Sequence, residues 1–237
     1  MIAIVLDVVL NSLYSIRSPL TWQSALTYPV MPPSAVIGLL ANALQRYRNN
    51  EHPLKLLSEI ENKVFWSASR LLQPSIISSC TISAIVKWEM KWGDKCTNVL
   101  VKEFACGTKM QLAAVLKMSA LPDEWIEAVK RTPLTCGDSE SPISVENVEV
   151  LKVEEFEGTE CTTFFPVPFE EDTQLIKGTG ISYWMHERCQ QSGKTFPLKC
   201  YMVPIMEENG LLVPTKLTVK SESRRILSIE KLGAIIA

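Results

Sequence analysis

Residues 18–45 read SPLTWQSALTYPVMPPSAVIGLLANALQ, and this stretch between Arg17 and Arg46 carries no charged side chain. It divides into two unlike halves. From Ser18 to Pro33, polar and aromatic residues (Thr21, Trp22, Gln23, Ser24, Thr27, Tyr28) are interspersed with four prolines. Prolines fix φ and hold the residues before them extended, so this half reads as a stiff loop. From Ser34 onward, Val36, Ile37, Leu40, Ala43, Leu44 and Tyr47 recur at three- and four-residue spacing. That spacing predicts an amphipathic helix with Ser34 as its N-cap. The prolines interrupt the apolar run well short of the roughly 20 residues needed to span a bilayer. A rigid loop delivering a helix N-terminus presents free N–H groups and the positive end of the helix dipole, an arrangement suited to phosphate. The same residues also fit a core helix that Ser34 merely caps and Gly38 merely lets pack closely, and spacing alone favours that second reading.

The run YPVMPPSAVIGLLANAL (28–44), preceded by IRSPLTWQSALT (16–27), resembles the N-terminal signature of the fifth CRISPR-associated (Cas) family of the RAMP superfamily. The match runs from about Leu13 to Leu44 and looks most like the archaeal type I-A branch. Met31 stands where the family often has a further proline, while Pro32, Pro33, Ser34 and Gly38 are intact. The resemblance implies an RRM-like or ferredoxin-like domain with a protruding hairpin thumb. It also implies a subunit that holds the 5′ handle of the crRNA at one end of the type I Cascade surveillance complex. One branch of the family processes crRNA itself, which makes a metal-independent endoribonuclease the alternative expectation.

Composition bounds these readings. A chain of 237 residues can bury a substantial core as one elaborated domain. The N-terminus MIAIVLDVVL lacks a basic region and carries Asp7 inside its apolar run, unlike a signal peptide, so a cytoplasmic protein is expected. Seven scattered cysteines with no C-x-x-C predict reduced thiols rather than a disulfide or zinc framework. The net charge is −2, but residues 1–120 carry 12 Lys/Arg against 7 Asp/Glu (+5) and residues 121–237 carry 12 against 19 (−7). Such polarity suits a molecule that meets RNA on one side and protein on the other. It is also compatible with two solvated faces.

Along the chain, residues 2–10 predict a strand buried on both faces. Residues 51–72 predict a second helical region opened by Pro53, with Leu54, Leu57 and Ile60 inward and Lys55 paired to Glu59. Residues 74–118 read as β-rich. Trp88, Met90 and Trp92 alternate with Lys87, Glu89 and Lys91 up to a turn at Gly93-Asp94-Lys95, and the chain returns through NVLVKEF (98–104). This hairpin, at about residues 85–110, occupies the thumb's place. Basic residues interleaved with aromatics suit RNA, although lysines also protect an ordinary edge hairpin from aggregation. Residues 110–118 predict a strand, LPDEWIEAVKRTP (121–133) a helix, and 143–153 a strand. The sum is a βαββαβ plan of α+β class. The acid-rich segment from Glu146 to Asp172 should repel RNA. TTFFPVPF (162–169) reads as an edge strand, residues 175–197 as loop, and the chain closes on a hairpin around Glu208-Asn209-Gly210. Residues 1–155 are thus expected to form the ferredoxin-like domain and residues 156–237 a small C-terminal β subdomain packed on it.

The expected RNA contacts are Arg17, Thr21, Trp22, Gln23, Ser24, Tyr28, Pro33, Ser34, Gly38 and Arg46 around the loop and helix, with Lys87, Lys91, Lys95, Lys102 and Lys109 on the hairpin. Trp22, Gln23 and Tyr28 would stack on or hydrogen-bond to bases, and Arg48 is a further candidate cation. No metal or cofactor is expected. Neither His52 nor His186 has a neighbour in sequence that would tune it for catalysis, and P-loop and hydrolase motifs are missing. A non-catalytic subunit follows, with crRNA and the Cascade backbone and large subunits as partners, target DNA as an indirect one, and neither a membrane nor a small-molecule substrate.

Overall fold

The structure is a computed structural model that describes residues 1–19, 21, 24–85, 97–189 and 198–237. It begins with strand β1 (Ile2–Leu10), whose even-numbered side chains from Ile2 to Leu10 enter one core while Ala3 and Val5 enter another. A two-residue strand β2 (Ser24–Ala25) lies within the proline loop, and helix α1 (Pro33–Arg48) follows. The N-cap is Pro32, not Ser34. Pro33 occupies the first turn, where a missing N–H costs nothing, and no side chain caps the helix. The expected stripe Val36, Ile37, Leu40, Ala43 and Leu44 is buried, but Tyr47 lies outside it at 41% exposure. Asn49 ends α1 in the left-handed region (φ 49°).

Helix α2 (Pro53–Lys63) opens with the His52 Nδ1 accepting the Leu54 N–H. Its buried face is Leu56 and Ile60, with Leu54 exposed, and its ion pair is Glu59–Lys63 rather than Lys55–Glu59. The helix also stops earlier than the sequence suggests. Residues of the expected helix from Val64 to Leu71 form strand β3, because Val, Phe and Trp are better strand than helix formers and an adjacent strand supplies their hydrogen bonds. Strands β4 (Ile76–Ile85) and β5 (Thr97–Cys106) pair antiparallel as the expected hairpin, Ile76 opposite Cys106 and Ile85 opposite Thr97. Then come β6 (Lys109–Leu116), α3 (Asp123–Arg131), β7 (Leu134–Thr135) and the long β8 (Pro142–Glu155).

Within the main sheet, β8, β1, β6 and β3 lie side by side and all antiparallel, so that chain order across them runs fourth, first, third, second. Helices α1 and α2 connect the first of these strands to the second, and α3 the third to the fourth. All three helices pack on the even-residue face of β1 through Leu40, Leu44, Leu56, Ile60, Trp125 and Val129. This is a strand-rich α+β fold.

The rest of the chain is β9 (Glu160–Thr163), β10 (Val167–Pro168), β11 (Thr173–Lys177), β12 (Ile181–His186), β13 (Leu198–Val203), β14 (Ile205–Glu208), β15 (Leu211–Pro214), β16 (Leu217–Ser221), β17 (Ile226–Ile229) and β18 (Gly233–Ile236). β11 and β12 replace much of the expected loop at 175–197. β9 and β10 are edge strands, and β10 carries Pro168, a residue confined to such positions. Asn209 (φ 53°) and Gly210 (φ 79°) make the two-residue turn between β14 and β15. β17 pairs with β8, so the last hairpin extends the main sheet, and Phe165, Leu227, Ile229 and Ile235 cover the odd-residue face of β1. Among the described residues, no helix is long and apolar enough to cross a membrane.

Helix α1 is tied to α3 by a two-pronged ion pair, Arg48 Nε to Glu124 Oε1 at 2.6 Å and Arg48 Nη2 to Glu124 Oε2 at 2.9 Å. The Arg48 hydrogen bonds hold the Glu124 carboxyl below its ordinary value of 4.5. A depressed carboxylate stabilises the fold above its unfolded pKa, and that stability is lost as pH falls through the folded value. Arg48→Met should therefore lower stability to urea by about 1 kcal/mol at pH 7, the figure being small because the pair is partly exposed. The difference from the unsubstituted protein should shrink as pH drops below 4.5.

Candidate nucleic-acid interface

The proline loop is stapled in place by its backbone. Tyr14 exchanges two hydrogen bonds with Ala105 of β5 (2.9 and 2.8 Å), and its buried hydroxyl donates to the Pro29 carbonyl at 2.7 Å. Burial raises the Tyr14 hydroxyl far above its ordinary pKa, so it remains a donor. The loop then folds back on itself. Ser18 N–H donates to Leu26 O, Tyr28 N–H to Ile16 O, and Ile16 N–H to the Thr27 hydroxyl, each at 2.8–2.9 Å. Arg17 and Thr27 face each other across this fold. Ser24 and Ala25 run parallel to Val101 and Lys102 of β5, and the Glu103 carboxylate accepts the Thr27 N–H at 3.0 Å. The loop and the hairpin stem are therefore one body.

The segment after α3 closes this body from the other side. Ser15 bridges in parallel to Gly137, which sits at φ +89° with its Cβ position 2.2 Å from the Ser15 carbonyl oxygen. Only glycine fits there. Next to it, Asp138 receives the Lys102 ammonium at 2.6 Å and lies 2.6 Å from the Ser141 hydroxyl, which is also 3.0 Å from the Leu13 carbonyl. Burial pushes the Asp138 carboxyl up, but the Lys102 and Ser141 hydrogen bonds outweigh it and the net shift is downward. The Lys102 ammonium also sits 4.5 Å from the centre of the Phe104 ring.

These contacts sort the expected RNA-binding residues. Arg17 is exposed and forms no ion pair among the described residues, and Thr21 is half-buried with its hydroxyl 3.4 Å from Ser18 O. Ser24 is held in β2. Tyr28, expected to offer its ring to a base, is buried. Its hydroxyl donates to the Trp184 carbonyl and its ring packs edge-on against Tyr183, because the loop needs an apolar anchor beneath it. Lys102 braces Asp138, Lys109 pairs with Glu146 at 2.6 Å, and Arg48 is taken up by Glu124. Trp22, Gln23, Lys87, Lys91 and Lys95 lie outside the described residues.

The start of α1 is less open than expected. Pro33 has no N–H, and those of Ala35 and Val36 donate to the Pro32 carbonyl at 2.9 and 3.2 Å. The Pro33 carbonyl accepts the Ser67 hydroxyl, and the Ser34 carbonyl accepts the Cys189 thiol, whose pKa burial pushes to about 12. Gly38 and Arg46 lie further along α1, lining a cavity of about 260 Å³ with Asn42, Thr135 and Gly137. A Cβ on Gly38 would meet nothing within 4 Å, so its lack of a side chain widens this cavity rather than permitting close packing. Arg46 Nη1 donates to the Pro133 carbonyl at 2.9 Å. Gly137 thus joins the loop on one side to the α1 cavity on the other. Sequence reading missed Glu103, Gly137 and Asp138, because nothing local marks a carboxylate or a glycine as the partner of a loop far away in the chain.

Among the described residues, no three His, Cys, Asp or Glu side chains come together in a way that could hold a metal ion. Because the fit at Gly137 is backbone against backbone, Gly137→Ala should lower stability by more than about 1–3 kcal/mol in chemical denaturation. The same substitution at Gly38 should leave stability within about 1 kcal/mol.

The family model described as CRISPR-associated protein (Cas_Cas5) matches residues 5–104, from β1 through the hairpin stem. No curated protein sequence matches the chain significantly. Among solved structures, a CRISPR protein from Archaeoglobus fulgidus is similar over 100% of this chain and 99% of its own, at 15% identity and a TM-score of 0.65. A chain of the type III-B Cmr-beta complex bound to cognate target RNA and AMPPnP covers 89% of this chain and 86% of its own, at 10% identity and a TM-score of 0.49. One from a CRISPR RNA-guided surveillance complex covers 91% of each at 14% identity and a TM-score of 0.45. The chain therefore shares its fold with the A. fulgidus CRISPR protein, and the part of it that forms β1, the proline loop, α1, α2, β3 and most of the hairpin matches the CRISPR-associated family model.

Proposed function

We propose that this chain is a member of that CRISPR-associated family and a non-catalytic crRNA-binding subunit of a type I Cascade complex, in which it holds the 5′ handle. The observation that carries the reading is the union of the proline loop with the hairpin stem. Ser24–Ala25 pair with β5 and Thr27 is held by Glu103, so the exposed Arg17 projects from the same rigid body as the hairpin. A clamp needs that rigidity, since ordering a loose loop on binding would consume part of the interaction free energy. The strand order β8, β1, β6, β3 supports a ferredoxin-like reading of the core, with β4 and β5 as the stem of its thumb.

In this proposal Arg17 and the hairpin lysines Lys87, Lys91 and Lys95 contact phosphates, and Trp22 and Gln23 meet splayed bases. Lys102 and Lys109 shape the stem through their ion pairs. The partners are crRNA and the Cascade backbone and large subunits, with target DNA reached indirectly, and the complex is cytoplasmic and of the archaeal type I-A branch.

The test is binding of labelled crRNA with and without its 5′ handle, in EDTA, at two salt concentrations, by the chain co-expressed with the backbone subunit. Handle-dependent binding of intact RNA is expected. Replacing residues 86–96 by a short Gly-Ser turn together with Arg17→Ala should weaken it and flatten its salt dependence, by about 0.7 in log–log slope for each phosphate no longer neutralised. Equal binding without the handle would sink the proposal, and cleavage in EDTA would replace it with the endoribonuclease reading.

A further inference from the structure

A cavity of about 650 Å³ opens at the edge of the main sheet, beside β3. Arg70 of β3, Phe164, Lys216 and Lys231 line it, and among the described residues no Asp or Glu does. These residues come from four separate parts of the chain, and two of the three cations belong to the acidic second half. Its size lies within the range of about 300–1,000 Å³ typical of ligand sites.

Arg70 is the unusual member. It stands in one row with Gln111 of β6 and Asp7 of β1, the three being cross-strand neighbours in register. Arg70 Nε–H donates to Gln111 Oε1 at 2.9 Å, and Gln111 Nε2–H donates to Asp7 Oδ1 at 2.6 Å. The amide thus stands between cation and carboxylate, and Arg70 forms no ion pair among the described residues. The guanidinium carbon lies 5.2 Å from the Phe164 ring centre and 5.0 Å from that of Phe165. Burial pulls the Arg70 pKa down, opposed by the charge of Asp7. A half-buried guanidinium without a carboxylate carries a desolvation penalty that an anion in the cleft would offset.

The rest of the lining complements it. Phe165 is 1% exposed and anchors the site, whereas its neighbour Phe164 is 42% exposed, an aromatic surface open to a stacking partner. Lys216 is exposed and forms no ion pair among the described residues. Lys231 pairs with Glu149 at 3.1 Å, but its side chain is 64% exposed, and so open a pair gives way readily to a phosphate. An exposed aromatic ring together with cations in one cleft is the composition that holds unpaired nucleotides, base on ring and phosphate on cation.

We infer that this cleft is a second RNA-contacting subsite, which takes an unpaired nucleotide of the bound RNA with its base on Phe164 and its phosphates at Arg70, Lys216 and Lys231. The inference rests on the crRNA-binding reading, but it concerns residues outside the loop and the hairpin and does not depend on the handle. It places a positive RNA contact inside the half of the chain whose overall charge would repel one.

The experiment uses the co-expressed protein and the two crRNAs, with and without the handle, and adds two variants on the cleft surface, Lys216→Ala/Lys231→Ala and Phe164→Ala. Both should keep the thermal midpoint of the unsubstituted protein. The lysine pair should lower the log–log salt slope of binding by about 1.4, corresponding to two phosphate contacts on a single strand. Phe164→Ala should weaken binding about tenfold, the scale of one stacked base. Ultraviolet crosslinking followed by mass spectrometry should find RNA attached at or beside Phe164. If the unsubstituted protein binds both RNAs equally while the variants still bind more weakly, the handle reading fails and the cleft stands. If binding is handle-dependent and neither variant changes affinity or slope, the cleft is overturned and the handle reading stands. No RNA binding by the unsubstituted protein overturns both.

Discussion

Strand β1 is the constraint on which everything else depends. It is hydrogen-bonded along both edges, to β6 and to β8, and it is apolar on both faces, so it can exist only inside a finished structure. Its even-numbered residues need the three helices above them. Ala3 and Val5 need Phe165 and the last hairpin below, each large apolar side chain so buried contributing on the order of 2 kcal/mol. The two halves of the chain are therefore coupled: residues 227–235 complete a core begun by residues 2–10. Asp7 is the one charged interruption of β1, and the amide of Gln111 that satisfies it also orients Arg70. A polar residue in the central strand is thereby connected to the cleft lined by Arg70.

The loop and the hairpin depend on each other in a second way. Two of the lysines that look from sequence like RNA ligands, Lys102 and Lys109, turn out to be engaged by carboxylates. Lys109 at the start of β6 pairs with Glu146 of β8, while Lys102 of β5 is held by Asp138 and so fixes the hairpin stem to the segment after α3. Gly137 does the same through the backbone, and its position between Ser15 and the α1 cavity makes that segment a shared wall.

Electrostatics read along the chain and in space give different maps. The basic first half and acidic second half are real as sums, but folding brings Lys216 and Lys231 from the acidic half beside Arg70 from the basic one. Several acids of the second half are meanwhile neutralised locally, Glu170 by Arg224 and Glu187 by Lys199. Net charge describes solubility and long-range steering; where an anion can bind is decided by which charges remain unpaired within a Debye length of one another.

The sequence by itself determined the elements whose signal is local: β1 from its unbroken apolar run, α1 from its three- and four-residue stripe, α3 from its flanking prolines and terminal charges, the strands of the hairpin stem from their β-rich composition, and the turn at Asn209-Gly210. It also carried the family resemblance, because that lies in a contiguous run. Tertiary structure alone decided that residues 64–71 leave the helix for β3. A strand's hydrogen bonds come from a distant partner, and no window of local sequence contains β6. It alone decided that Tyr28 is an anchor, that Lys102 is a brace, and that residues 70, 164, 216 and 231 meet. Burial, ion pairing and cavity formation are properties of separation in space, and the chain encodes them only through the complete fold.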